Sequence, residues 1–205
     1  GFEKPTPIQG KVIPALLQKK QDIIGLAQTG TGKTAAYGIP ALEYLQTNNK
    51  YPQVLVLSPT RELCLQISRD IESFGRFKPG LEVVSVYGGA SIEQQIKSLR
   101  NGAQVVVATP GRAMDLIRRK RLDLSRVSMV ILDEADEMLK MGFREDVDII
   151  LAETPAEKTT LLFSATMSAD ISAIAKKYMS TPLEITLGYK NAGAEQVNHV
   201  YYMVH

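Results

Sequence analysis

Seven short runs of apolar residues recur along the chain: Ile23-Ile24-Gly25-Leu26, Val54-Leu55-Val56-Leu57, Val83-Val84-Ser85-Val86-Tyr87, Val105-Val106-Val107-Ala108, Met129-Val130-Ile131-Leu132, Leu161-Leu162-Phe163 and Leu183-Glu184-Ile185. Most are apolar at every position rather than at alternate ones. A strand of that kind has both faces covered, as a parallel strand between two helical layers does. Helical periodicity fills the gaps. Val12, Leu16 and Leu17 share one face ahead of the first run, and helices are predicted over 62–74, 92–99, 112–119, 147–151 and 171–178. The alternation implies an α/β domain, a doubly wound, mostly parallel sheet of about seven strands flanked by helices. In such sheets ligands gather beyond the carboxyl ends of the strands. Polar clusters follow five of the runs directly, at 27–34, 58–62, 109–112, 133–136 and 164–166.

The 205 residues suit one large domain, and 44% hydrophobic with 22% charged residues is an ordinary globular composition. No apolar run approaches the roughly 20 residues of a membrane helix, so no membrane role is expected. Cys64, the single cysteine, cannot form an internal disulfide and reads as a small core residue. Neither secretion nor a cysteine-ligated metal is suggested. The 24 Lys+Arg against 22 Asp+Glu leave a net charge of +2, so any nucleic-acid surface must be a local patch. The densest charge, Arg118-Arg119-Lys120-Arg121, follows a predicted helix that points it away from the strand ends; it reads as a solvated face or an auxiliary nucleic-acid contact.

The chain opens on a Pro-rich turn without a methionine, which suggests a piece of something longer. Residues 189–196 are small and polar, like a linker, and Val197 to Val204 resembles a strand beginning as the chain stops. The expected division is one domain over 1–187, with 188–205 as a linker and the start of a second domain. His199 and His205 fall in that tail, where no metal or catalytic role is expected.

Ala27-Gln28-Thr29-Gly30-Thr31-Gly32-Lys33-Thr34 lies between the first predicted strand and a helix. Strand, glycine-rich turn and helix is the order of a phosphate-binding loop. Gly30 and Gly32 let backbone N–H groups and the helix N-terminus converge on a phosphate, Lys33 adds a positive charge, and the Thr34 hydroxyl suits Mg2+. The strict pattern asks for glycine where Ala27 stands, a small departure if Ala27 takes an ordinary backbone conformation. A plain Gly/Thr turn is the alternative, and it leaves Lys33-Thr34 unexplained. Further on, Asp133 and Glu134 end the strand from Met129 to Leu132. Asp133 is assigned to the metal opposite the phosphate loop, and Glu134 to the base that takes a proton from an attacking water. A helix N-terminus favouring negative charge would explain one acid, not three in four positions.

Asp133-Glu134-Ala135-Asp136 spells the signature of the DEAD-box RNA helicases, and the resemblance covers almost the whole chain. Pro5-Thr6-Pro7-Ile8-Gln9 resembles the family's glutamine motif, and Ala27 to Thr34 its phosphate loop, with alanine at the first position as in the family. Pro59-Thr60-Arg61-Glu62-Leu63, Gly88-Gly89 and Thr109-Pro110-Gly111-Arg112 resemble its RNA-contacting motifs, and Ser164-Ala165-Thr166 the motif that couples the two activities.

The resemblance implies a RecA-like P-loop NTPase domain that binds ATP and Mg2+. Phe2, Lys4, Thr6 and Gln9 would join Gln28, Thr29, Gly30, Thr31, Gly32, Lys33 and Thr34 around the nucleotide. An amide such as Gln9 can donate and accept at once, as adenine's edge requires. Phe2 would stack on the base, or simply pack. Pro59, Thr60, Arg61, Gly89, Thr109, Gly111 and Arg112 would grip an RNA backbone irrespective of sequence; Arg61 and Arg112 also have the ordinary alternative of surface salt bridges. Asp136, Ser164 and Thr166 would link the two sites by hydrogen bonds, the alternative being a hydroxyl cluster capping a helix near Ser168.

The implied function is an ATP-dependent RNA helicase, a cytoplasmic ATP hydrolase that unwinds short duplexes or remodels RNA–protein complexes. This chain is then the first of two RecA-like motor domains in one parent chain, its implied partners being RNA, ATP and the second domain, and the fragment itself a monomer. The second domain supplies arginines worth about 10^3 to 10^5 in rate, so slow hydrolysis is expected here. The rivals are an ATP-gated RNA clamp with little unwinding, and a DNA translocase, against which Gln9 and the 133–136 spelling argue.

Overall fold

The computed structural model describes residues 4–187. Phe2 and the expected linker, second-domain start, His199 and His205 lie outside them. In chain order the elements are α1 (Pro7–Gln18), β1 (Ile23–Leu26), α2 (Lys33–Tyr44), β2 (Val54–Leu57), α3 (Arg61–Phe74), β3 (Val83–Val86), α4 (Ile92–Asn101) and β4 (Val105–Ala108). Then follow α5 (Pro110–Arg118), β5 (Met129–Leu132), α6 (Ala135–Lys140), α7 (Arg144–Ala152), β6 (Thr159–Ser164), α8 (Ala169–Tyr178) and β7 (Leu183–Thr186). The seven strands form one sheet in the order β3-β4-β2-β5-β6-β1-β7. Every pairing is parallel, so the sheet is wholly rather than mostly parallel.

The helices divide between the faces by the direction in which the chain travels. Steps from β1 to β2 to β3 run toward the β3 edge, and α2 and α3 cover the same face as α1, with Ile8, Val12, Leu16, Tyr37 and Ile71 in its core. Steps from β3 back to β7 run the other way, and α4 to α8 cover the opposite face, with Leu116, Met138, Ile150 and Ile171 in its core. Right-handed crossovers require this change of face when direction reverses. Successive strand residues alternate between the cores, as Leu55 and Leu57 against Val54 and Val56 show. That is why the strands are apolar throughout.

Three local expectations change. Ile8, Val12 and Leu16 are the buried stripe of α1, four residues apart, while Leu17 is 46% exposed. The six-residue helix α6 has no sequence-predicted counterpart, and β6 begins two residues before the predicted run, at Thr159. Among the described residues no helix is long and apolar enough to cross a membrane.

Candidate active site at the carboxyl edge of the sheet

The strand order sorts the polar clusters that the chain interleaves. Residues 88–90, 109–112 and 58–62 follow β3, β4 and β2 on one half of the edge, and 133–136, 164–166 and 27–34 follow β5, β6 and β1 on the other. Each cluster springs from a fixed rung. Ala27 N donates to Ser164 O at 3.0 Å, Ser58 N to Ala108 O at 3.0 Å, Thr109 N to Val86 O at 3.0 Å and Asp133 N to Leu57 O at 2.9 Å. Where neighbouring strands send their helices to opposite faces a crevice opens, and this happens between β1 and β6 and on either side of β2.

The expected phosphate loop fills the first crevice. Ala27 continues the ladder and is not among the positive-φ residues, so alanine is accommodated there without strain. Gly32, at φ 86°, is required twice over: a Cβ on it would lie 2.5 Å from Gln9 Nε2. Gly30, at φ 76°, has open space where its Cβ would be. Lys33 is 6% exposed, and its ammonium donates to Ala27 O at 3.2 Å and Gln28 O at 3.1 Å. Thr31 Oγ1 donates to Gln28 O at 2.8 Å, while Thr34 follows Lys33 in the first turn of α2. Gln9, 4% exposed, accepts from Thr6 N at 3.0 Å and donates to Gly32 O at 3.1 Å. It ties the start of α1 to the loop. Thr6 Oγ1 is buried there without a protein partner, while Lys4 stands exposed nearby in sequence, just ahead of the helix.

Across β6 lies the acidic cluster. Asp133 is 5% exposed; Tyr37 OH donates to its Oδ2 at 2.8 Å and Glu134 N to its Oδ1 at 3.0 Å. Burial raises the Asp133 carboxyl above its ordinary value, against the opposing pull of Lys33. Glu134 is raised as well, first by burial and then by the charge of Asp133, with Lys33 again opposing. Glu134 also holds φ 52° and ψ 49°, a left-handed conformation that costs a non-glycine residue about 1–2 kcal/mol. Strain of that kind is characteristic of working side chains. Tyr37 escaped the sequence reading, although it lies one turn beyond Lys33, the spacing that puts two helical residues on one side.

Asp136 is buried and accepts from Thr166 Oγ1 at 3.1 Å and Ala165 N at 3.4 Å. Ser164 does not bond Asp136. Its Oγ donates to Thr166 O at 2.7 Å and receives Thr166 N at 3.3 Å, which shapes the turn presenting Thr166. Ser168 caps α8 by itself, accepting from Ile171 N at 3.3 Å, so the 164–166 hydroxyls are not needed as its cap.

On the other half of the edge Thr60 caps α3, accepting from Leu63 N at 3.3 Å, beside a buried Pro59. Arg61 is exposed, its guanidinium 5.0 Å from the centre of the Tyr87 ring. Gly89 sits at φ 78°. Thr109 is buried at the start of α5, where Gly111 is exposed. Arg112 is half-buried and donates to Ala90 O and Gln95 Oε1 rather than standing free. Neither Arg61 nor Arg112 is in an ion pair among the described residues, so the salt-bridge alternative does not apply to them. Arg118, Lys120 and Arg121 are exposed beyond the far end of α5, and Arg119 pairs with Asp115 at 2.7 Å.

Comparison with known proteins gives the family. Residues 6–174 match the family described as DEAD/DEAH box helicase. The chain is 51% identical over 204 residues to the ATP-dependent RNA helicase DeaD of Mycobacterium tuberculosis, and 50% identical to the DEAD-box ATP-dependent RNA helicase CshA of Streptococcus pneumoniae. Both alignments cover 100% of this chain but only 36% and 38% of those proteins. The crystal structure of a DEAD box protein from the hyperthermophile Methanococcus jannaschii superposes with a TM-score of 0.87 at 48% identity, over 91% of this chain and 50% of that one. The chain belongs to the DEAD/DEAH box helicase family.

Proposed function

We propose that this chain is the ATP-binding motor domain of an ATP-dependent RNA helicase, in which hydrolysis serves to separate short RNA duplexes or remodel RNA–protein complexes. One observation carries the reading. Tyr37, on the helix that Lys33 begins, bonds Asp133, so the loop cation and the acid pair form one charge-coupled cluster at the β1/β6 crevice. A cation on one side of a phosphate chain and a base on the other is what phosphoryl transfer to water needs.

The cradle fits a nucleotide. Gly30 is open, Thr6 Oγ1 is buried beside the loop without a partner, and the helix N-terminus faces the crevice. To bind phosphate, Lys33 exchanges its two loop carbonyls for phosphate oxygens, and Gln28 to Thr34 supply the backbone donors. Gln9 keeps one donor and one acceptor position for adenine beyond its bonds to Gly32 and Thr6, and the resemblance adds Lys4, Thr6 and Phe2 to the nucleotide-binding set, Phe2 lying outside the described residues. Thr34 and Asp133 are the residues that would hold Mg2+, which when bound neutralises phosphate charge. The described residues contain no group of three or more candidate ligands, which suits an ion held mainly by phosphates and water. Glu134, partly exposed and raised in pKa, accepts the proton of the attacking water.

On the β3-β4-β2 half, Pro59, Thr60, Arg61, Gly89, Thr109, Gly111 and Arg112 form a surface for the RNA sugar–phosphate backbone. Asp136, Ser164 and Thr166 connect it to the nucleotide. The chain spans little more than a third of the curated relatives it matches, in keeping with a second RecA-like domain in the parent protein; the cytoplasm is the compartment that RNA as substrate implies. The test is ATP hydrolysis by the full-length protein with and without single-stranded RNA. RNA should stimulate it, and Glu134→Gln should reduce it about 10^2- to 10^4-fold while nucleotide still binds. Hydrolysis indifferent to RNA, or undiminished in the variant, overturns the proposal.

A further inference from the structure

The loop joining β3 to α4 is held from inside by Gln95, a residue outside every polar cluster that follows a strand. Gln95 is 7% exposed. Its Nε2 donates to Tyr87 O at 3.1 Å, and its Oε1 accepts from Arg112 Nη1 at 2.8 Å. Arg112 Nη1 and Nη2 both donate to Ala90 O at 3.2 Å. The carbonyls that bracket Gly88-Gly89 are thus both drawn inward. In a trans peptide the N–H points opposite to the C=O, so the amides of Gly88 and Ser91 are turned outward. Nothing in the fold requires glycine at 88: its φ lies outside the left-handed region, and an added Cβ meets nothing within 4 Å. A bare backbone with outward amides is what close approach of a phosphate chain uses.

We propose that Gln95 is a positioning residue of the RNA-facing edge, which together with Arg112 fixes the Tyr87–Ser91 turn so that its amides are presented to the RNA backbone. This rests on the RNA reading above and deepens it, since Arg112 then works largely from within the protein. Gln95 touches no ligand.

The test uses the full-length protein with a fluorescent, unstructured oligouridine in the presence of a non-hydrolysable ATP analogue. Gln95→Met keeps the side chain's length and removes both polar atoms; Gln95→Glu keeps an acceptor for Arg112 and loses the donor to Tyr87. Amide hydrogen exchange over 87–91 should quicken in Gln95→Met and RNA affinity should fall about tenfold, with Gln95→Glu affected in the same direction and the affinity for the ATP analogue unchanged in both. Unchanged RNA affinity overturns the proposal, as does a fall in analogue affinity in step with that for RNA, the mark of a general structural role. Gly88→Ala separates this from the underlying reading. If it leaves RNA binding intact, RNA does not approach this turn and both fail; if it weakens RNA binding and Gln95→Met does not, only the positioning role fails. Should Gln95→Met not fold, Gln95→Glu carries the same comparison.

Discussion

Asp133 and Glu134 are carboxylates kept in surroundings that disfavour their charge. A carboxyl whose folded-state pKa lies above its unfolded value binds its proton more readily when folded. The folded state is therefore favoured as pH falls through the raised pKa, and loses that advantage as pH rises above it. Above its raised pKa the ionised Asp133 is thus a liability to the ligand-free fold, since burial outweighs the help of Lys33, Tyr37 and the Glu134 amide. Asp133→Asn should raise the melting temperature of the nucleotide- and metal-free protein at pH 8, and the gain should shrink as pH falls toward the ordinary aspartate range. Thermal unfolding across that range checks it; a variant less stable than the parent at pH 8 would contradict the argument. On the proposal that Glu134 is the base, its raised pKa moves the acidic limb of hydrolysis upward, so activity should decline on acidification at a higher pH than for an ordinary glutamate, which a pH–rate profile reads directly. Both acids were legible in the sequence as candidates, Asp133 for the metal and Glu134 for the base. Their partner Tyr37 was not, because a tyrosine on an apolar helix face looks like core until a fold brings its hydroxyl to a carboxylate 96 positions away.

The strands were legible because burial on both faces leaves an unbroken apolar signature, and the helices because one covered face leaves a periodic one. Strand order was not legible, since it depends on which way each crossover turns, and neither was α6, whose six residues give too few turns for a period to show. Nor were the polar side chains that fasten the amino edge of the sheet, such as Gln53, which exchanges bonds with both backbone groups of Gln46, and Gln104, which takes Glu82 N and reaches Thr47 and Asn49. Asp22 does most for the edge strand. Its carboxylate accepts from Thr160 N at 2.7 Å and Ser180 N at 2.6 Å, and its carbonyl from Leu183 N at 2.9 Å, so it joins β1, β6 and β7 at their starts. Asp22→Ala leaves two amides without their acceptor, at about 2–4 kcal/mol in all. Asp22→Asn, which keeps one acceptor oxygen, should lose less. Denaturant unfolding gives the magnitude, and hydrogen exchange should show β7 loosening before the rest of the sheet; uniform loosening would mean that Asp22 is no local fastening.

Across the whole molecule, the sheet holds two half-sites on one rigid rim, and any communication between them must pass the strands in the middle. β2 and β5 meet at that middle, and β6, lying between β5 and β1, ties the phosphate loop to the strand that borders the RNA half. The turn after it touches both neighbours: Ser164 O receives the amide of Ala27 at the root of the phosphate loop, while Thr166 Oγ1 and Ala165 N hold Asp136 on α6. A ligand that shifts the phosphate loop therefore bears on the acidic helix through one short turn. Thr166→Val removes the hydroxyl bond and keeps the side chain's volume, with Ala165 N left to hold Asp136. In the full-length protein, ATP analogue and RNA should each bind alone within about twofold of the parent, as expected for a position contacting neither. The coupling between them, about 5- to 150-fold in systems of this kind, should largely disappear. Measuring RNA affinity with and without analogue gives that factor, and measuring analogue affinity with and without RNA must give the same one, because binding linkage is reciprocal. If both routes return the parental factor, the 164–166 turn is only the end of β6, and communication runs elsewhere along the rim. If the factor collapses while both separate affinities hold, the bond between Thr166 and Asp136 is a necessary step on the path from the phosphate loop to β5, the strand that borders the RNA half.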